Sequence, residues 1–342
     1  MRIALLAPLV SPIPPTAYAG TERIVATLAQ RLHERGHEVT LFASGDSDVD
    51  CRLVPVVPQS LWATGYEGDG RQLVPLVVTA VWREIDRFDV IHSHLDGGGF
   101  VLARHCGRPV VTTVHNRLDT EGTPQLLEGF GDVPLVSISK SQRRWAPDAN
   151  WVATIHHGIV TGETLFGQKP GDYLLLVGRL TYEKGVAEAI ELARESGMPL
   201  KIAGKVHEDV ERQMFAEVVQ PAVDDGVVEF VGELDPNQRD ALFAGALATL
   251  MLGAWPEPFG LVAIESMATG TPVIGRRAGA LPETVSHGET GFLIDDLTEA
   301  NLAVQRVAGL DRGAIRRHAL ERFSPDVMVH RYEEVYRRLT AG

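Results

Sequence analysis

The chain has 342 residues, 44% of them hydrophobic and 23% charged. It is longer than a single core usually grows, about 250–300 residues, so two globular domains are expected and disorder is not. The formal net charge is −13, which argues against a nucleic-acid partner. Residues 1–160 hold 14 Lys+Arg against 17 Asp+Glu, so most of the acidic excess lies further along and neither half offers a broad basic face to anionic lipid.

The opening MRIALLAPLVSPIPP has one Arg and an apolar run cut by Pro8 and Pro12. It reads as a first buried strand rather than a secretion signal. GTERIVATLAQRLHERG follows with Ile24, Leu28 and Leu32 at helical spacing and stops at Gly36. HEVTLFAS is the next strand, and further strands are expected at 89–93, 109–114 and 134–138. Helices are expected over 73–86, 98–105 and 139–146. The two cysteines, Cys51 and Cys106, show no CxxC or Cys/His spacing, which suggests no disulfide framework or zinc site and fits a reducing cytoplasm.

The rhythm weakens in HHGIVTGETLFGQKPG, residues 156–171, with four Gly and one Pro. This stretch reads as an interdomain connection. Alternation then resumes. DYLLLVG, PLKIAG, VVEFVG, LATLML and TPVIG read as strands. EKGVAEAIELARES, 208–218, 236–244 and LVAIESMATG read as helices, and 298–340 as mostly helical. No run of about 18 apolar residues occurs, so no transmembrane helix is expected. The fold class is α/β: two Rossmann-like, doubly wound parallel-sheet domains facing across a cleft. The expected domains are 1–160, joined by a C-terminal helix at about 325–342, and 168–324. In such sheets ligands bind beyond the carboxyl ends of the strands.

VGRLTYEKG, 177–185, runs from a strand end to a helix start and places Arg179 and Lys184 at that junction. A guanidinium fork, an ammonium and a helix amino end make a diphosphate site. Two surface cations near a cap are the plainer alternative. No GxxxxGK[ST] is present. In EPFGLVAIE, 257–265, Glu257 precedes a helix beginning near Gly260 and Glu265 lies more than one turn inside it. The two acids are then on the order of 10 Å apart, poorly spaced for one metal but suited to two diols along an extended ligand. A nucleotide sugar has that layout: ribose diol, diphosphate, hexose hydroxyls.

These segments resemble glycosyltransferase family 4, retaining enzymes of the GT-B fold. EPFGLVAIE matches the E-x7-E signature, and GRLTYEKG, YAGTERIVATLAQRLHERGHEVTLFASGDS, DVIHSH and TVHN match further family segments. The resemblance runs from residue 2 to about 335 and extends to enzymes of oligosaccharide-antibiotic assembly. It implies that Arg179 and Lys184 neutralise the donor diphosphate, that Glu265 binds the ribose and that Glu257 binds the donor sugar. It implies that the Phe259, Gly260 and Leu261 backbone lies near phosphate and sugar, and that His115 stands beside the transferred sugar. Gly20 would approach the donor from the first domain, and Glu233 and Leu234 would lie near the base. The last helix would pack back on the first domain.

Two positions depart from the family pattern. Ala19 replaces the first of two usual loop glycines, and Val160 stands where Asp is usual. The implied reaction is transfer from a nucleotide-diphosphate sugar, UDP first and GDP second, to a hydroxyl of a small-molecule or oligosaccharide acceptor. The anomeric configuration is retained, and no cofactor or metal is expected. A peripheral membrane contact stays open. A nucleotide-sugar epimerase of the same fold and a non-catalytic nucleotide-sugar-binding protein are the alternatives. A dinucleotide-dependent dehydrogenase is disfavoured, since no GxGxxG follows the first strand.

GDSDVD, 45–50, contains DxD triplets that could suggest a metal on the diphosphate; it reads instead as a solvated acidic loop. His92 and His94 could suggest a metal pair, but no third ligand is apparent and cleft-lining polar residues are expected. Trp145, Trp151 and Trp255 are expected to pack, with Trp255 alone a candidate sugar platform.

Overall fold

The computed structural model describes residues 1–16, 19–66, 70–159 and 165–341. Contacts divide the chain into two compact units, Met1–Val160 with Phe323–Gly342, and Thr161–Arg322.

The first unit contains β1 (Arg2–Leu6), β2 (Glu38–Ser44), β3 (Arg52–Val57), β4 (Val90–Ser93), β5 (Val110–Val114), β6 (Leu135–Ser137) and β7 (Trp151–Thr154). They form one sheet in the order β3-β2-β1-β4-β5-β6-β7, every pair parallel. The second unit contains β8 (Leu174–Val177), β9 (Leu200–Ala203), β10 (Val228–Gly232), β11 (Ala248–Met251), β12 (Val273–Arg276) and β13 (Gly291–Ile294). Its order is β10-β9-β8-β11-β12-β13, again all parallel. Both are doubly wound α/β sheets. Parallel strands need helical crossovers that cover both faces, so central strands become continuous apolar runs. Ile3 to Leu6 of β1 and Leu174 to Leu176 of β8 are accordingly buried.

The order reverses between β1 and β4 in one unit and between β8 and β11 in the other. The connections leave these neighbouring strands in opposite directions, which opens a crevice beyond their carboxyl ends. In the second unit that point lies between the loop carrying Arg179 and Lys184 and the loop carrying Glu257.

The helix Gly20–Glu34 buries Ile24, Val25, Leu28 and Leu32 on one face. Gly36 ends it with φ of 83°, a conformation that costs a side-chain-bearing residue more. The helix Pro325–Ala341 lies in the first unit, starts at a proline and buries Met328, Val329, Tyr332 and Tyr336. The Tyr336 hydroxyl meets His92 Nδ1 at 2.7 Å and that of Tyr332 meets Thr113 Oγ1 at 2.9 Å. Arg35 holds Glu333 at 3.1 Å and Asp326 at 2.9 Å.

Several expectations are adjusted. The strand begun by RIALL ends at Leu6, before Pro8. The helix expected over 73–86 is helical from Val74 to Trp82, with short 3-10 turns on either side. Strands β3, β7 and β13 lie where none was expected.

Candidate active site

Beyond β8 the chain turns through Gly178 and reaches Arg179, then a 3-10 turn Tyr182–Lys184 and Gly185, the N-cap of the helix Val186–Ser196. Beyond β11 it passes Gly253 and Glu257 and enters the helix Leu261–Ala268 at Gly260. These two loops touch. A Cβ on Gly185 would lie 2.4 Å from the Gly253 nitrogen, and one on Gly253 1.9 Å from the Glu183 carbonyl oxygen. Only glycines allow that approach, and it brings Lys184 Nζ into an ion pair with the Glu257 carboxylate.

The N-cap residue of the helix Leu261–Ala268 is Gly260, at φ 86° and ψ 60°, which has no side chain to cap the first amides. Uncapped amides and the helix dipole favour an anion there. Phe259 is buried, so its backbone rather than its ring is offered. Glu257 is itself held: its carbonyl accepts the Ala280 N–H at 2.9 Å, and the preceding Gly279, at φ 57°, packs directly on its backbone.

Glu265 is 3% exposed. Its Oε1 lies 3.5 Å from Arg239 Nη1, and Arg239 also pairs with Asp240 at 3.0 Å. Arg179 is half exposed; its Nε donates to Glu211 Oε1 at 2.9 Å and its Nη2 to Glu208. Glu233 and Leu234 follow β10 at the sheet edge. Glu233 is exposed and 4.0 Å from His207 Nε2.

Gly20 and His115 belong to the first unit. Gly20 opens the helix Gly20–Glu34. Ala19, its N-cap, is buried with φ −140° and ψ 114°, extended backbone that a methyl-bearing residue adopts without strain. Val160, the other departure, lies outside the described residues. His115 follows β5 and is 8% exposed. Its backbone N–H donates to Asp96 Oδ1 at 2.9 Å, its Nε2 meets His94 Nδ1 at 2.8 Å, and its ring stacks on His157. Burial pushes the His115 imidazole down to about 4, against the opposing pull of Asp96. The ring is therefore neutral near pH 7.

A family model described as Glycosyltransferase Family 4 matches residues 18–157, and one described as Glycosyl transferases group 1 matches residues 166–321. A D-inositol 3-phosphate glycosyltransferase of Acidothermus cellulolyticus is 30% identical over 98% of this chain and 90% of its own. The chain belongs to the family 4 glycosyltransferases. Among solved structures, a glycosyltransferase of avilamycin A biosynthesis superposes with a TM-score of 0.75 at 24% identity, covering 100% of this chain and 98% of that one. The Anabaena protein HepE, in complex with UDP and glucose, gives 0.76 at 18% identity, covering 98% and 99%. At such identities the likeness shows the fold, which is GT-B.

For this glycosyltransferase one expectation needs correction. His92 and His94 do not line a cleft: both are buried, His92 under the helix Pro325–Ala341, with Tyr332 4.8 Å away between ring centroids, and His94 between the rings of His92 and His115. Burial pushes His92 down to about 3. GDSDVD is a solvated acidic loop as expected, with Asp46, Asp48 and Asp50 exposed, and it has one structural tie. Asp46 accepts the Ser60 N–H at 3.0 Å and its hydroxyl at 2.8 Å, tying two loops together. Among the described residues, no group of three or more His, Cys, Asp or Glu is placed to hold a metal ion, and no helix is long and apolar enough to cross a membrane.

Sequence reading missed Glu208, Glu211, Arg239 and Asp96. The spacing of Glu208 and Glu211 is that of a capping box, a legible helix start, but it gave no hint of Arg179. Asp96, at φ 46°, ties His115 to Asn116, whose Nδ2 it accepts at 2.6 Å.

Proposed function

We propose that this glycosyltransferase moves a sugar from a nucleotide-diphosphate donor to a hydroxyl of a small-molecule or oligosaccharide acceptor, with retention and without a metal. UDP-sugar is the favoured donor and GDP-sugar the second. The observation that carries the proposal is the meeting of the β8 and β11 loops. It puts Lys184 and Glu257 together near a helix amino end that has no side-chain cap.

In this reading the diphosphate lies on the amides at Gly260 and Leu261 and draws on Arg179 and Lys184. Glu265, buried but for an edge, accepts hydrogen bonds from the ribose hydroxyls, with Glu233 and Leu234 near the base. Glu257 accepts from the donor sugar, and Gly20 and His115 are assigned to the sugar by the family resemblance. His115, being neutral, offers a hydrogen bond rather than a charge.

Reaction on one face is consistent with this set. The anomeric carbon–phosphate oxygen bond breaks as the bond to the acceptor oxygen forms on the same side. The acceptor's proton passes to the leaving diphosphate, whose growing charge meets cations and amides fixed in advance. Assay of Lys184→Ala with a competent donor and acceptor tests this. A fall in kcat supports it, and wild-type turnover would refute it.

A further inference from the structure

Two acids grip Arg179, and they are unlike. Glu211 has a fully buried side chain. Its Oε2 accepts the backbone N–H groups of His207 at 3.0 Å and Glu208 at 3.1 Å, and its Oε1 accepts Arg179 Nε at 2.9 Å. Burial pushes its carboxyl up, but the amides of His207 and Glu208 and the Arg179 guanidinium outweigh that and hold it below the usual value. Glu208 instead reaches Arg179 Nη2 from a side chain that is 56% exposed.

A carboxylate that took both Nη groups of an arginine would compete with phosphate for the same fork. Glu211 takes only Nε. An anchored acid on that edge fixes the plane of the guanidinium and leaves both Nη groups for another anion.

We infer that Glu211 is a positioning residue that orients Arg179 for the donor diphosphate, and that Glu208 is a counter-ion which the diphosphate displaces. This rests on the reading of Arg179 as a diphosphate ligand. Neither acid touches the reacting atoms; both act through Arg179. Glu211 would set how well the site distinguishes a diphosphate from a monophosphate.

The test is calorimetric titration of UDP and UMP into wild type, Arg179→Ala, Glu208→Gln, Glu211→Gln and Glu211→Asp, with GDP/GMP or ADP/AMP where the wild type prefers those. Glu211→Asp keeps the charge but draws it back from Nε, so it covers the case in which Glu211→Gln folds poorly. Both Glu211 variants should weaken UDP about tenfold and UMP less, lowering the UDP/UMP affinity ratio. Glu208→Gln should bind UDP as well as wild type or better. Equal weakening of UDP and UMP would mark Glu211 as merely structural and overturn the inference, as would equal behaviour of the Glu208 and Glu211 variants. If Arg179→Ala loses UDP affinity while both Glu211 variants keep it, the inference fails alone. If Arg179→Ala keeps it, the diphosphate reading fails and takes the inference with it.

Discussion

Lys184 and Glu257 stand 73 residues apart in the chain and form an ion pair across the loops that follow β8 and β11. Both side chains are partly exposed, at 34% and 20%, so the pair contributes no more than about 1 kcal/mol to stability. Its meaning lies in the ligand-free state. An ammonium expected to face a diphosphate is already held in place by the acid expected to face the sugar.

Lys184→Ala should therefore leave the fold nearly as stable as before and strike the reaction. We expect kcat/KM to fall by about 10²–10³, most of it in kcat, as for the loss of one fixed charge-stabilising group. Initial rates and a melting curve on the same preparation check both halves. A loss confined to KM would assign Lys184 to ground-state binding alone.

Gly279→Ala tests how Glu257 is held. A Cβ there would lie 2.4 Å from the Glu257 nitrogen and 2.5 Å from its carbonyl oxygen, and φ of 57° already disfavours a side chain. Backbone must move, and the moving backbone is that of the acid. A destabilisation of about 2–4 kcal/mol is expected from clash and left-handed strain, with activity lost even well below the melting temperature. Denaturant unfolding and rate measurements on the variant would show it; near-wild-type values for both would mean the loop has slack.

The alternation of the chain was legible because central parallel strands are uninterrupted apolar runs. The strands overlooked have local reasons. Arg52–Val57 carries Pro55 and sits at an edge, where a missing N–H is tolerated. Trp151–Thr154 is an edge strand with no fully buried residue. Gly291–Ile294 is an edge strand that opens on a glycine. Arg179, Lys184 and Glu257 stand out because each lies in the loop that follows a strand, and Glu265 because it lies in the helix which the second of these loops enters. Their partners do not. Glu211 is 32 residues from Arg179, and the spacing of a capping box accounts for it without that contact. The burial of His92 and His94 is not legible locally: His92 lies under Tyr332 and Tyr336, some 240 residues later in the chain, and His94 beside His115, 21 residues later.

The buried histidines give a pH dependence. His92 and His115 are pushed down to about 3 and about 4, chiefly by burial, and His94 and His157 lie well below their ordinary value for the same reason. The unfolded chain titrates near about 6.5, so between about 6.5 and 4 it binds more protons than the folded protein. Stability is then full above about 6.5 and falls as pH drops through that window, by up to about 1.4 kcal/mol per pH unit for each group. Urea midpoints should fall between about pH 7.5 and pH 5, and less steeply in His92→Gln, whose amide can still meet Thr113 and Tyr336. Equal midpoints at the two pH values would contradict the buried neutral state.

The central claim is a nucleotide-sugar donor site on the second unit, with Glu265 on the ribose. It is tested most directly by calorimetric titration of UDP, GDP and ADP, without divalent metal, into wild type and Glu265→Ala. The account predicts binding of one nucleotide, UDP first, and an affinity about tenfold weaker or worse in the variant. Binding that requires a metal, or that Glu265→Ala leaves unchanged, would contradict it.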